Sequence, residues 1–219
     1  MALKAVLFDM DGVIVDTEPL HKKAYHLMFE KVAINVSSEL YNSYTGQSTI
    51  QICEDLVDRF NLSLAPTELV AYKRAFFKEL FFADTNDLQL IPGVFELIKN
   101  YYDNGVTLVL ASSASMFTIN SVFDRFDLNP YFKGKISGAD LKASKPHPEI
   151  FIRAAEIAEE NREHCMVIED STNGIRAAYD AGIYCVGYKS THSKEQNYEL
   201  AQKVISDFNE ITFDRIKNF

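Results

Sequence analysis

The stretch Lys4–Pro19, KAVLFDMDGVIVDTEP, decides the fold. Ala5-Val6-Leu7-Phe8 is a short, partly β-branched apolar run ended by acids and a glycine, which is how a buried strand reads. Asp9 and Asp11 follow at its carboxyl end, one residue apart, and then Gly12. In an open parallel sheet ligands bind beyond the carboxyl ends of strands, so these two carboxylates stand where chemistry is expected. Acids this close repel unless a cation neutralises them or one takes up a proton. Oxygen-only ligands with room for water suit Mg²⁺. The competing reading is a hairpin at Asp11-Gly12. It is disfavoured because no alternating strand follows Gly12.

Downstream, the periodicity changes from strand to helix for about 70 residues. Leu20, Ala24, Leu27 and Met28 mark one helix face behind Pro19, and Ser48 with Gln51 has the spacing of a capping box ahead of Cys53, Leu56, Val57 and Phe60. Pro66 opens another helix, with Leu69, Tyr72, Phe76 and Leu80 along one side and Phe77 and Phe81 beside them, read as core packing. Residues 17–87 are therefore expected to be an all-helical insert, with Asp84–Asp87 as the polar connector back.

From Ile91 onward helices and strands alternate. The expected strands are Val106–Ala111, Lys135–Ser137, Met166–Glu169, Tyr184–Gly187 and a last short one at Val204-Ile205. Such alternation means βαβ units and a parallel sheet covered on both faces. Residues 1–16 and 88–219 are expected to form that α/β core.

The length of 219 residues accommodates one sizeable core plus a smaller insert. A net charge of −9 argues against nucleic acid or an anionic membrane as the main partner. The three cysteines, Cys53, Cys165 and Cys185, show neither metal nor redox spacing, which favours a reducing compartment. An acid interrupts the first apolar run at Asp9, and no apolar stretch is long enough to span a bilayer, so a cytoplasmic protein is expected.

Polar groups recur at successive strand ends: Asp9 with Asp11, Ser112 with Ser113, Lys145, and Glu169 with Asp170. Singly, Ser112 reads as a helix cap, Lys145 as a solvated side chain, and Glu169-Asp170 as dipole complements. Together they suit phosphoryl transfer, which needs a positioned nucleophile and cations to balance oxygen charge. A carboxylate can serve as that nucleophile and pass through an acyl-phosphate. On this reading Asp9, Asp170 and the backbone carbonyl of Asp11 hold the metal. Ser112, the amide after it and Lys145 hold phosphate oxygens, and Asp11 exchanges protons with the leaving alcohol and with water. A signalling receiver domain also combines acids, a hydroxyl, a lysine and Mg²⁺. It needs neither the leaving-group acid Asp11 nor a helical insert.

DMDGVIVDTEP, LVLAS ending at Ser112, SKP containing Lys145, and VIEDSTNG containing Glu169 and Asp170 resemble, in order, the four motifs of the haloacid dehalogenase superfamily. The match looks closest to the branch of β-phosphoglucomutase and sugar-phosphate phosphatases. The resemblance implies a doubly wound, Rossmann-like core with a helical cap, and Mg²⁺ as cofactor. It implies Asp9 as nucleophile and metal ligand, Asp11 as general acid/base and among the metal residues, Ser112 and Lys145 at the phosphoryl group, and Ser113 at the substrate. Asp170 would be a metal ligand, and Glu169 a ligand or supporting acid.

Thr17 and the 84–90 connector would be the hinges of the cap, and Asp11 argues against dehalogenation. His21 stands where β-phosphoglucomutases carry a histidine, and Gly46 and Gln47 lie in a segment resembling their cap loop. A surface or otherwise satisfied histidine is the alternative for His21. Thr49 stands where those mutases place an arginine, with Lys73 or Arg74 as candidate replacements. That exchange favours hydrolysis over a mutase, because a mutase must grip a second phosphate. The expected partner is a small phosphorylated metabolite, and the expected state a monomer.

Overall fold

The computed structural model describes residues 2–44, 49–83, 88–189 and 196–219. In chain order it contains β1 (Ala5–Phe8), α1 (Glu18–Lys31), α2 (Ser38–Asn42), α3 (Thr49–Phe60), α4 (Pro66–Phe82), α5 (Val94–Asp103), β2 (Thr107–Ser112) and α6 (Met116–Arg125). There follow β3 (Gly134–Ser137), α7 (Glu149–Ala158), β4 (Cys165–Glu169), α8 (Thr172–Asp180), β5 (Tyr184–Tyr188), β6 (Lys203–Ile205) and α9 (Phe213–Ile216). The chain divides into two compact units, Met1–Asp16 with Gln89–Phe219, and Thr17–Leu88.

The first unit is built on one sheet of order β3-β2-β1-β4-β5-β6, with every pairing parallel. β1 is buried along its whole length because both of its faces are covered, which is why it reads as an unbroken apolar run. Alternate residues serve opposite faces. Ala5, Leu7, Val109, Val167 and Cys185 pack under α7 and α8 through Ile150, Phe151, Ala154 and Ile175. On the other face Phe8 meets the rings of Tyr101 and Phe132 edge-on, at 6.4 and 5.7 Å between centroids.

Local chemistry sets the helix ends. Gly93, at φ +83°, turns the chain into α5, a backbone shape that side chains disfavour. Ser115 and Ser171 cap α6 and α8 by accepting from the amides of Thr118 (3.3 Å) and Gly174 (3.1 Å).

The order of the strands reverses at β1: the chain moves outward to β2 and β3, then returns to lay β4 on β1's other side. This switch point opens a crevice beyond the carboxyl ends of β1 and β4.

The second unit is helical throughout its described residues. Its core gathers Tyr25, Met28 and Phe29 of α1, Ile52, Cys53 and Leu56 of α3, Leu69 and Val70 of α4, and Tyr44. The buried stripe of α4 differs from the expected one. It runs Leu69, Val70, Lys73 and Phe81, while Tyr72, Phe76 and Leu80 are only half-buried. A lysine thus occupies an inner position that an apolar pattern cannot assign. The expected capping residue Ser48, the loop residues Gly46 and Gln47 and the connector Asp84–Asp87 lie outside the described residues. Among the described residues no helix is long and apolar enough to cross a membrane.

Candidate active site

Register brings the acids together. Phe8 pairs with Ile168, and the sheet continues one step further through Asp9 N–H donating to Ile168 O at 3.0 Å. Asp9 therefore stands beside Glu169, the last residue of β4. Asp170 follows on the turn into α8, and oxygens of Asp9, Glu169 and Asp170 all lie within 4.8 Å of one another. The carboxylate of Asp11 is not among these three. The chain leaves the strand after Asp9 and coils back on itself, Ile14 and Val15 both donating to Met10 O at 2.8 and 3.0 Å, which breaks the alternation that would align residues 9 and 11. Asp11 still acts on Asp9 electrostatically, as one of the negative charges that disfavour its ionisation.

Two glycines make this convergence possible. Gly12, at φ +81°, is approached by Asp170 so closely that a Cβ there would lie 2.2 Å from Oδ2. A Cβ at Gly174 would lie 1.6 Å from Glu169 Oε1. The acids occupy space that any other residue would fill.

Lys145 joins three strands. Its ammonium donates to Asp9 Oδ1, to Glu169 Oε1 at 2.8 Å and to Ala111 O at 3.0 Å, at the ends of β1, β4 and β2. An ammonium has three N–H bonds, so protein acceptors take all of them. The expectation that Lys145 grips phosphate directly thus meets a lysine whose donors are already engaged; a phosphoryl oxygen would have to replace one of these partners. Its side chain is 6% exposed, and those of Asp9 and Glu169 are 9% and 1% exposed. Burial alone would favour the neutral amine, but Asp9 and Glu169 outweigh it and hold Lys145 protonated above its usual range. Burial pushes the Asp9 carboxyl well above the usual carboxylate range; Lys145 opposes this, and Glu169, Asp11 and Asp170 add to it.

This donor set fits a divalent cation. The converging ligands are all carboxylate oxygens, the choice of a hard cation. With all three carboxylates ionised against one ammonium, two negative charges remain, which one doubly charged ion would balance.

The other expected site residues are placed as follows. Ser112 is fully buried at the end of β2, its hydroxyl accepting from Ala114 N at 3.0 Å. Ser113 is exposed on the loop that follows. His21 belongs to the helical unit. Its Nδ1 is 2.7 Å from Lys73 Nζ, and its ring stacks on Phe77 at 4.3 Å. An ammonium can only donate, so Nδ1 accepts and the proton of the neutral ring sits on Nε2. Burial first, and then the charge of Lys73, lower the His21 pKa to about 3. Arg74, the other candidate cation on α4, is exposed.

The family model of the haloacid dehalogenase-like hydrolases matches residues 3–182, which spans every element just described from β1 to α8. The chain belongs to this family. A phosphorylated carbohydrates phosphatase of Thermotoga maritima is 30% identical over 204 residues, covering 91% of each chain. A 6-phosphogluconate phosphatase of Escherichia coli is 28% identical over 183 residues, 83% of this chain and 80% of that one. Among solved structures, a β-phosphoglucomutase of Clostridium difficile is 28% identical, with a TM-score of 0.76 over 98% of this chain and 96% of that one.

Sequence reasoning about this haloacid dehalogenase-like hydrolase missed two supports of the site. Ser171 holds Glu169 Oε2 with its amide (2.8 Å) and its hydroxyl (2.9 Å). Its place directly after Glu169-Asp170 was the available signal. Gly174, within VIEDSTNG, makes room for Glu169, a contact between neighbouring turns that no local pattern announces.

Proposed function

We propose that this hydrolase is a Mg²⁺-dependent phosphatase of small phosphorylated metabolites, sugar phosphates foremost, working through an aspartyl-phosphate on Asp9. The convergence of Asp9, Glu169 and Asp170 around the ammonium of Lys145 carries the reading. The phosphatase relatives from Thermotoga maritima and Escherichia coli support the substrate class.

In this mechanism Asp9, Glu169 and Asp170 hold the metal, which when bound supplies positive charge that lets an anionic phosphate approach an anionic nucleophile. Lys145 favours the ionised form of Asp9 against the effect of burial, and the metal's charge would add to it. A carboxylate oxygen of Asp9 forms the bond to phosphorus as the bond to the leaving oxygen breaks, and Asp11 gives that oxygen its proton. Asp11, now a carboxylate, takes a proton from water as that water attacks phosphorus. The phosphorus–oxygen bond to Asp9 breaks, inorganic phosphate leaves, and both carboxyl groups return to their starting states. Ser112 and the loop amides behind it border the phosphate. In this reading substrate selectivity is assigned to the helical unit Thr17–Leu88, His21 among its residues. Buried free Cys53, Cys165 and Cys185 suit a reducing cytoplasm.

The second reading is a phosphosugar mutase, favoured by the likeness to the β-phosphoglucomutase of Clostridium difficile. One experiment separates the two. With Mg²⁺ present, phosphate release is followed across hexose phosphates, other phosphomonoesters and pyrophosphate. In parallel, β-glucose 1-phosphate is assayed for conversion to glucose 6-phosphate with a trace of bisphosphate. Release without isomerisation is expected, abolished in Asp9→Asn and about a hundred- to ten-thousandfold slower in Asp11→Ala, the range that removal of a general acid costs. Isomerisation with little release would make the protein a mutase, and an active Asp9→Asn would refute the covalent mechanism.

A further inference from the structure

We infer that Gln196, a residue far from every motif, is a positioning residue for the metal site; this rests on the reading of Asp9, Glu169 and Asp170 as metal ligands. Gln196 Oε1 accepts from both donors of Thr172, the amide at 2.7 Å and the hydroxyl at 2.8 Å. Thr172 Oγ1 in turn accepts from Asn197 N at 2.8 Å, so three hydrogen bonds tie residues 196 and 197 to the first turn of α8.

Asp170 lies on a turn that is pinned at two places. On one side Glu169 is fixed by Lys145 and by the amide and hydroxyl of Ser171. On the other side Thr172 is fixed by Gln196. Asp170 is half-buried, unlike Asp9 and Glu169, and its carboxylate lies close against the backbone of Gly12. The backbone on either side of it, held by these bonds, fixes where its Cα–Cβ bond points. Groups that orient metal ligands commonly change metal affinity or activity ten- to a hundredfold when removed.

Gln196 also gives Thr172 N–H, one of the donors that a helix start leaves without a helical partner, an acceptor from another segment. The bond therefore couples the chain after β5 to the acid-bearing turn after β4. That coupling spans 24 residues of sequence, so no local pattern announces it.

The test measures binding of Mn²⁺ alone to the full chain, without substrate, by the loss of the free-ion electron paramagnetic resonance signal. Gln196→Met, which fills the same space without an acceptor, is expected to raise the dissociation constant about tenfold. Gln196→Glu, which keeps an oxygen at the same reach, is expected to restore binding to within twofold of wild type. Gln196→Asp carries the same charge on a shorter stem and is expected to behave like the methionine variant. In turnover, the Mg²⁺ concentration for half-maximal rate should rise in Gln196→Met while kcat at saturating Mg²⁺ stays within twofold of wild type.

An unchanged dissociation constant in Gln196→Met overturns the assignment. Restoration by aspartate as fully as by glutamate also overturns it, since charge rather than position would then be responsible. Failure of wild-type protein to bind Mn²⁺ would instead refute the metal site itself. Metal binding that depends on Gln196 in a protein releasing no phosphate would leave the positioning role standing and refute the phosphatase reading.

Discussion

Replacing Gly174 by alanine sets two effects of known size against each other. Gly174 lies in the first turns of α8, where alanine is favoured over glycine by about 1 kcal/mol through helix propensity alone. Without a clash the substitution would stabilise. The added Cβ, however, would stand 1.6 Å from Glu169 Oε1 and 1.9 Å from its Cδ, well inside any tolerable contact. Glu169 must move, and it is 1% exposed, bound to Lys145 at 2.8 Å and to Ser171 at 2.8 and 2.9 Å. Hydrogen bonds to charged groups are worth about 1.5–3 kcal/mol each, so losing two costs about 3–6 kcal/mol. The net is a loss of about 2–5 kcal/mol. At about 2–4 °C per kcal/mol for a chain of this size, Tm should fall by roughly 5–20 °C. Calorimetry in EDTA reads this without interference from metal, and phosphatase activity should be lost in the same protein. A Tm equal to or above that of wild type would refute the argument, because helix propensity would then outweigh the clash.

Lys145→Met leaves Asp9 and Glu169 buried without their shared cation. Breaking such a group costs about 3–5 kcal/mol, so metal-free protein should unfold at lower urea while added Mg²⁺ recovers part of the loss. A Mg²⁺-dependent stabilisation no larger than in wild type would contradict the charge balance drawn for the cluster. His21 supplies a pH test with a definite sign. Its pKa falls from 6.5 unfolded to about 3 folded, so the unfolded chain binds the proton first and stability drops as pH falls from 6.5 towards 3. Between pH 7 and 5 the loss is about 2 kcal/mol. Urea titrations of wild type and His21→Asn at those two pH values should differ by that amount; parallel curves would mean that His21 titrates normally.

The strands and the acids at their ends were legible because a parallel sheet buries both faces of a strand, turning it into an apolar run whose first polar residue marks the strand's end. Asp9 and Glu169-Asp170 announce themselves in this way, and the switch point between β1 and β4 does the rest. Lys73 was not legible as an inner residue of α4, since the apolar stripe rule places lysines outside. Its ammonium donates a hydrogen bond to an imidazole 52 positions away and lies over the rings of Tyr25 and Phe77. Lys145 was legible as a charge but not as a group whose donors are all taken, because its partners come from three separate strands. The carboxylate of Asp11 departed from the Asp9, Glu169 and Asp170 cluster because a coil beginning at Met10 overrode the two-residue alternation. Gln196 had no local signal, for the chain after β5 carries no periodicity.

The helical unit leaves and re-enters the α/β unit at one spot. Asp16 N–H donates to Gln89 O at 3.2 Å, and Val15 forms an antiparallel bridge with Leu90. β1 and β2 pair in register although the whole insertion separates them in sequence. The insertion thus behaves as a cassette held by a clip that belongs to the host. Because closing an already closed loop costs little more when its length changes, the host tolerates a longer, shorter or different cassette without disturbing strand register. If selectivity resides in the helical unit, as proposed, exchanging residues 17–88 as a block would change it while the acids, the lysine and the sheet that aims them stay as they are.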